Sequence, residues 1–514
     1  MIIKQTGLLR SCKLLLLLIF FPIAAGIISG VLFIRREKNG HTGTKHEDIS
    51  KGSDAENGII KGSVIYICIM AVTLLLSIPV FVSDPGDISM TITGNADFCF
   101  GVDGFTRLSL FIVLLLYSTV LFYALVYFKK EHNVRQFFIF YFVSLGAIMA
   151  VCLSRSLITL YCCFEIATLS SMPMVLNEMD RESVAAGVKY LFYSVGGALM
   201  GLCGVLAVYS FAEENVHFVF GGFLEREMIA GSEPVFLALM MIAVIGFGTK
   251  AGIYPMHGWL PTAHPIAPAP ASALLSGIIA KAGIIALVRL IYYSVGPSVL
   301  QGTYVQRGWM LLSMITVIIG SSMAFLEKNL KKRLAYSTVS QLSYIMLGLS
   351  VLCSAGFEGG LLQMMAHAAA KSCLFLTAGA IIYLTGCRYT YELRGIGKKM
   401  PLTMICFTLC SLSLIGIPPM GGFTAKWKLS LAALSADALF WSVAPVIVLI
   451  ISALLTSGYL MPVVIGGFFP AAEDATEIKR EKEPVLMVVP MYILSAAALI
   501  VGLYGSRILE LISW

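Results

Sequence analysis

Charge is what this chain lacks. Only 13% of its 514 residues are Asp, Glu, Lys or Arg, while 58% are hydrophobic; soluble domains carry roughly 25% charged residues. That excludes a water-soluble globular protein. Long polar segments are missing as well: the longest, residues 35–61, is too short to fold as a soluble domain. The chain has twelve cysteines but no C-x-x-C pair, and zinc or iron–sulfur sites need clustered thiolates. Most of these cysteines lie in apolar stretches, where the residue behaves as a small hydrophobe. No nucleotide-binding motif is present. The chain is therefore expected to hold no cofactor and no metal, to move no electrons itself, and to bind no nucleic acid.

What is there instead is apolar length. A membrane-spanning helix needs about 20 apolar residues at 1.5 Å rise. Fourteen stretches meet that measure, near 12–34, 64–83, 105–128, 136–153, 157–177, 184–211, 235–256, 269–294, 308–326, 333–352, 360–384, 401–431, 437–465 and 485–512. The expected fold is an all-α polytopic membrane protein. The stretch 401–431 is too long for one straight helix and contains Pro418-Pro419, so it reads as broken; the helix running into Pro255 reads the same way. Lys4, Arg10 and Lys13 before the first stretch give it the look of a signal peptide. Its apolar run of about 21 residues suits a retained span.

The loops orient these spans. Arg35-Arg36, Lys129-Lys130, Lys331-Lys332-Arg333 and Lys398-Lys399 all fall in alternate loops. The opposing loops are acidic, with Asp84, Asp87 and Asp97 in one and Glu213, Glu214, Glu225, Glu227 and Glu233 in another. By the positive-inside rule the basic loops are cytoplasmic, which puts both termini outside a plasma (inner) membrane.

The scarce charges are not confined to loops. Lys250, Lys281, Lys371, Lys426 and Glu165 lie inside spans. Such a group costs at least about 2.5–3.5 kcal/mol at bilayer depth. Burial disfavours a lysine's charged form, so Lys250 can exchange a proton near neutrality; snorkelling to the interface is the bland reading. Lys281 is mid-span, beyond a lysine's reach of either end. His367 and Lys371, four apart, share one helix face and suggest a hydrated path along it. Lys426 follows the second break, where a terminal relay group would sit. His257 and His264 flank Trp259-Leu260-Pro261 and are candidate relays, or else structural hydrogen-bonding groups. Glu165 must be protonated or paired. Lys189, on the following span, is the nearest candidate in sequence, and a residue of a neighbouring subunit is the rival. Arg289 and Lys428 lie where both can snorkel. Each half of the chain holds one Gly/Pro-interrupted helix with a lysine, ending at Lys250-Ala251-Gly252 and starting at Gly416-Ile417-Pro418. Paired broken helices point to an inverted repeat with its ion site at the interface.

These residues in this order resemble the antiporter-like membrane subunits: the proton-pumping subunits of respiratory complex I, the large subunits of Mrp-type cation/proton antiporters, and their membrane-bound hydrogenase counterparts. The resemblance covers roughly residues 100–465. It is strongest from Lys250 to Lys281, through His257-Gly258-Trp259-Leu260-Pro261-Thr262-Ala263-His264 and Ala267-Pro268-Ala269-Pro270. Glu165 resembles the family's glutamate on its fifth helix. Lys250 and Lys281 resemble its lysines on the seventh and eighth, His367 and Lys371 its pair on the eleventh, and Lys426 its group on a broken twelfth. Gly395–Pro401 and Ile417-Pro418-Pro419 lean toward the Mrp-D or hydrogenase branch. The resemblance implies fourteen helices with two inverted five-helix repeats. It also implies proton translocation within a larger complex, with Glu165–Lys189 switching as the coupling element. The polar loop 35–61 is longer than the family leads one to expect, and no long lateral helix follows the last span.

The organisation expected is N-terminal helices and a polar loop over 1–104, a translocating core over 105–465, and a last loop and helix over 466–514. Within the core, repeat one covers about 136–294 and repeat two about 308–465. Partners are expected to be other membrane subunits, homologous antiporter-like subunits or a redox module among them. Sodium/proton exchange, with Glu165 and Asp103 as the only plausible cation carboxylates, is the rival within transport. Outside it stand a structural anchor for a hydrogenase and a stand-alone solute transporter.

Overall fold

The computed structural model describes residues 14–31, 51–93, 96–129, 133–212, 217–436, 438–470 and 481–510. Both chain ends and most of the polar loop (32–50) lie outside them, so the expectations about the termini and that loop do too. Helices α1 (Leu14–Val31) and α2 (Lys51–Val82) lead into a small hairpin of β1 (Ile88–Thr93) and β2 (Ala96–Phe100). Then come α3 (Gly104–Tyr127), α4 (Val134–Leu153), α5 (Leu157–Val175), α6 (Arg181–Phe211) and α7 (Glu233–Lys250). A short α8 (Leu260–Ile266) precedes α9 (Ala269–Val295). The second half holds α10 (Tyr304–Leu326), α11 (Leu330–Ser350), α12 (Ser354–Thr385), the half-helices α13 (Pro401–Ile415) and α14 (Gly421–Leu434), and α15 (Leu439–Phe468). Helix α16 (Val485–Glu510) packs back on α12 and α3.

Polar side chains open several of the apolar helices. Asp103 accepts from Thr106 N at 2.8 Å, Asp180 from Ser183 N at 2.7 Å and Asn329 from Lys332 N at 3.1 Å. Each cap satisfies one of the N–H groups a helix leaves open, typically worth about 1 kcal/mol. Between helices, small residues replace hydrophobic bulk. A Cβ on Gly197 would fall 2.7 Å from Gly246 O, and one on Gly201 2.7 Å from the Phe247 ring, so glycine lets α6 and α7 pack closely.

Two sets of five follow one another in the same order. In α4 to α9 and in α10 to α15, three continuous helices are followed by a broken one and then a continuous one. Both breaks contain a cis peptide bond, Tyr254-Pro255 and Pro418-Pro419.

Among the described residues twelve helices are long and apolar enough to cross a membrane, against fourteen expected. The difference has a physical reason. Helix α11 is long but carries Lys331-Lys332-Arg333 and the buried polar run Ser337, Thr338, Ser340, Gln341 and Ser343. It is surrounded by protein rather than lipid and does not need an apolar surface. Helices α13 and α14 are each too short alone. The innermost element is α9, every residue of whose most apolar stretch is buried.

Candidate functional site

Lys281 sits in α9 just after a wide π turn at Leu275–Ile279. In a regular α-helix the amides of Ala280 and Lys281 would bond Ser276 O and Gly277 O. Here they bond Leu275 O and Ile278 O, both at 2.9 Å. The released carbonyls accept from Lys281 Nζ, at 2.9 Å from Ser276 and 2.6 Å from Gly277. The third neighbour of Nζ is His367 Nδ1 of α12, at 2.9 Å. Lys281 and His367 are fully buried, as is Lys371 one turn farther along α12. Lys371 Nζ donates to Leu334 O of α11 at 3.0 Å. Thr338 lies between the partners of the two lysines: its hydroxyl donates to the same Leu334 O at 3.0 Å and lies 2.8 Å from the hydroxyl of Ser276, whose carbonyl accepts from Lys281.

The polar stripe on α12 extends one turn back. Gln363 precedes His367 by four residues and donates to Gln341 Oε1 of α11 at 2.8 Å. Gln363 Oε1, Gln341 Nε2 and His367 Nε2 are buried without a protein hydrogen-bond partner. Beyond them Lys426, half-buried in the second turn of α14, reaches back across the break. Its Nζ donates to Leu414 O and, at 2.9 Å, to Ile415 O, the last carbonyls of α13, and lies 5.0 Å from the Tyr344 ring. A cation suits the negative end of a helix dipole. Lys426 stands just after the second break, as the sequence placed it.

Lys250 is the last residue of α7 and is held by side chains. Nζ donates to Tyr190 OH at 2.6 Å, Thr168 Oγ1 at 3.0 Å and Ser194 Oγ at 3.4 Å, and sits 4.5 Å from the Tyr190 ring. Hydroxyls donate as readily as they accept, so this cage accommodates ammonium or amine. Trp259 Nε1 donates to Thr249 O at 2.9 Å and pins the loop after the break to the end of α7. No hydrogen bond joins Lys250 to Lys281 among the described residues.

The expected Glu165–Lys189 pair does not form in this structure. Lys189 Nζ donates to Thr262 Oγ1 at 2.9 Å, in the segment after the first break. Glu165 is half-buried on α5 beside the exposed Ile166 and Leu169, and it has no ion-pair partner among the described residues. The two groups lie at different depths on their helices, and Thr262 is the nearer partner for the lysine. His264 is fully buried and stacked on Phe375 of α12, ring centroids 4.6 Å apart, with neither ring nitrogen bonded. His257 is half-buried at the break, 5.9 Å from the Tyr254 ring.

Arg289 does not snorkel. It is fully buried near the far end of α9 and grips Asp103 with two bonds, NH1 to Oδ2 at 2.5 Å and NH2 to Oδ1 at 3.0 Å. Arg155 adds a third at 2.6 Å. Burial alone would raise the Asp103 carboxyl above its ordinary value. The charge and hydrogen bonds of Arg289, the Thr106 N–H and the charge of Arg155 outweigh that and hold it below the usual range. Asp103 is therefore committed to two arginines and is not free to ligate a cation. Lys428 is likewise paired, with Glu358 at 2.7 Å.

Sequence reasoning missed Tyr190, Ser276, Thr338, Gln341 and Gln363. The signal for Gln363 was its four-residue spacing from His367. For α11 it was a run of Ser, Thr and Gln in a helix deep in the bundle.

Comparison with known proteins agrees with this geometry. The family model described as NADH:quinone oxidoreductase/Mrp antiporter, TM, matches residues 154–452. The chain is 32% identical to NADH-quinone oxidoreductase subunit N of Desulforudis audaxviator, covering 73% of this chain and 75% of that one. It is 28% identical to hydrogenase-4 component B of Escherichia coli, covering 80% of this chain but only 63% of that relative. A chain of the Mrp complex from Dietzia sp. DQ12-45-1b superposes with a TM-score of 0.74 at 21% identity, over 96% of this chain and 95% of that one. A chain of the membrane-bound sulfane sulfur reductase, an archaeal respiratory membrane complex, does so with a TM-score of 0.74 at 22% identity, over 96% and 78%. The chain belongs to the NADH:quinone oxidoreductase/Mrp antiporter family of multi-pass membrane proteins.

Proposed function

We propose that the chain is a proton-translocating subunit of a multi-subunit membrane complex of the respiratory, hydrogenase or Mrp type. The observation that carries this reading is the company the buried basic groups keep. Lys250, Lys281, His367, Lys371 and Lys426 are held by hydroxyls, backbone carbonyls and one another, with no carboxylate hydrogen-bonded to any of them among the described residues. A buried ammonium without a counter-ion gives up its proton readily. The proton would pass Lys250 and Lys281, follow His367 and Lys371, and leave past Lys426. His264 and His257 are side relays. The unbonded atoms of His367, Gln341 and Gln363 call for water, which would complete the path. Glu165, on the outer side of α5, would meet a group of a neighbouring subunit and pass its charge state to Lys250; Lys189 would approach when Thr262 releases it.

Family membership supports the place in a larger assembly, since the relatives are named as subunits or components. The sequence offers no redox-centre motif, so the driving force comes from partner subunits or an ion gradient. The core is residues 105–465, and the basic loops face the cytoplasm of a plasma membrane. Sodium exchange is the weaker reading, because Asp103 is occupied by two arginines.

The test is Lys250→Ala in the assembled complex, with assembly read by native electrophoresis and proton uptake by a pH-sensitive dye in sealed vesicles. Normal assembly with transport lost is the expected result. Transport and assembly both surviving would sink the proposal, and assembly lost with residual transport intact would favour a structural anchor. Equal rates with and without sodium at fixed pH are expected for proton transport alone.

A further inference from the structure

A second cluster lies away from the lysine row, where the β hairpin meets the loops after α4 and α6. Asp97 and Cys99 project from β2 and are buried, at 5% and 0% exposure. His217, from the loop after α6, lies with Nε2 3.4 Å from Asp97 Oδ2 and its side chain one-third exposed. One ligand atom of each residue lies within 4.8 Å of the others. Two polar atoms of the cluster have no hydrogen-bond partner: Asp97 Oδ1 and His217 Nδ1, both shielded from solvent. An unbonded carboxylate oxygen on a residue this buried is costly and calls for a ligand.

The backbone holds the three donors in place. Ser156 Oγ donates to Asp97 O at 2.7 Å, Arg155 N to Cys99 O at 2.8 Å, and Thr159 Oγ1 accepts from Cys99 N at 2.8 Å. Ser156 also pairs with His217 as an isolated antiparallel bridge. The segment Arg155–Thr159 thus binds both β2 and the loop residue His217, which carry the donors. Around tetrahedral zinc, with bonds of about 2.0–2.3 Å, ligand atoms lie roughly 3.3–3.8 Å apart. The His217 Nε2–Asp97 Oδ2 separation of 3.4 Å already falls in that range, and the three ligand atoms lie within 4.8 Å of one another.

We propose that Asp97, Cys99 and His217 form a binding site for a divalent transition-metal ion of the zinc class, with water or a partner-subunit group as fourth ligand. A thiolate, an imidazole and a carboxylate are the donor set such an ion prefers over calcium or magnesium. In the metal-free protein the thiol is protonated. Binding then replaces the S–H bond of Cys99 by a metal–sulfur bond and releases one proton to solvent, with no change in oxidation state. The ion would staple the hairpin to the loop after α6, next to the Asp103–Arg155–Arg289 cluster.

Cobalt(II) titrated into the purified complex is the probe. The expected result is a thiolate-to-cobalt charge-transfer band with tetrahedral visible bands, one ion per chain, bleached by zinc. Cys99→Ser should remove the band, while Cys203→Ser, elsewhere on α6, should leave it. His217→Gln alters a part-exposed loop residue and so keeps the fold even where Cys99→Ser does not; it should weaken cobalt binding at least about tenfold. No band in the wild type, or a band unchanged in Cys99→Ser or with unchanged affinity in His217→Gln, overturns the site.

Discussion

Lys281 and Arg289 are two buried cations on one helix, about two turns apart, and both are fully buried. They do different things because they have different partners. Arg289 is held by the Asp103 carboxylate through two bonds, with aromatic rings of Phe105, Phe218 and Tyr293 against its guanidinium. Its charge is neutralised and its geometry fixed; the pair ties α9 to the start of α3. Lys281 is held by two carbonyls and a histidine ring, none of which carries a compensating negative charge. A charge inside the membrane is thus no guide to function until its counter-ion is known. The paired cation builds the fold and the unpaired one is available to chemistry.

Two substitutions should separate the pair most sharply. Asp103→Asn leaves the buried Arg289 guanidinium short of its carboxylate, a loss of about 3–5 kcal/mol, while the half-buried Arg155 keeps Asp87 at 3.6 Å; it should show as low yield and a lowered melting temperature of the complex. Lys281→Ala should leave assembly and melting near wild type while abolishing proton uptake in vesicles. If Asp103→Asn melts normally, or Lys281→Ala pumps normally, the division between paired and unpaired cations is wrong.

The cages around the two break lysines differ next. Lys250 is caged by side-chain hydroxyls and Lys426 by backbone carbonyls at a helix end. A side-chain cage can be removed by mutation. Tyr190→Phe deletes the shortest bond to Lys250 while leaving the ring beneath it. Hydrogen bonds to charged groups contribute about 1.5–3 kcal/mol, so transport should slow by about tenfold or more with assembly intact. Wild-type rates in Tyr190→Phe would mean that the hydroxyl does not set the proton affinity of Lys250.

A smaller effect is expected where the link is neutral. Thr338→Val keeps the shape but cuts the hydroxyl between Ser276 and Leu334 O. At about 0.5–1.5 kcal/mol for such a bond, uptake should fall a few-fold. An unchanged rate would route the proton from Lys281 to Lys371 through His367 alone.

How much of this was legible in the sequence follows the same division. Apolar length and the two Gly/Pro breaks disclosed the helices, because lipid leaves no other way to satisfy a backbone. The unpaired lysines were legible because each stands alone in an apolar run. Partners were not. Asp103 and Arg289 lie far apart in the chain, and only the fold brings α3 against α9. Lys189 was assigned to Glu165 by sequence proximity, yet Thr262 captures it once the first break turns the chain back. The π turn that frees two carbonyls for Lys281 has no composition signal in Leu275–Ile279. The polar run of α11 gives no hint, in the chain alone, of which helices surround it.

Lys426 and Lys428 repeat the opening comparison on a smaller scale. They stand two residues apart on α14, so they point to different sides of the helix. Lys426 turns inward onto Leu414 O and Ile415 O; Lys428 turns outward to Glu358, whose side chain is 40% exposed. Solvent screens that outer pair, so Lys428→Ala should change stability by only about 0–1 kcal/mol and leave uptake at wild-type rate. Lys426→Ala, at almost the same position, should stop uptake. Measuring the two side by side tests whether the inward, uncompensated ammonium is the working group. If Lys428→Ala were the variant that lost transport, the proton exit would have to be moved to the Glu358 face of α12.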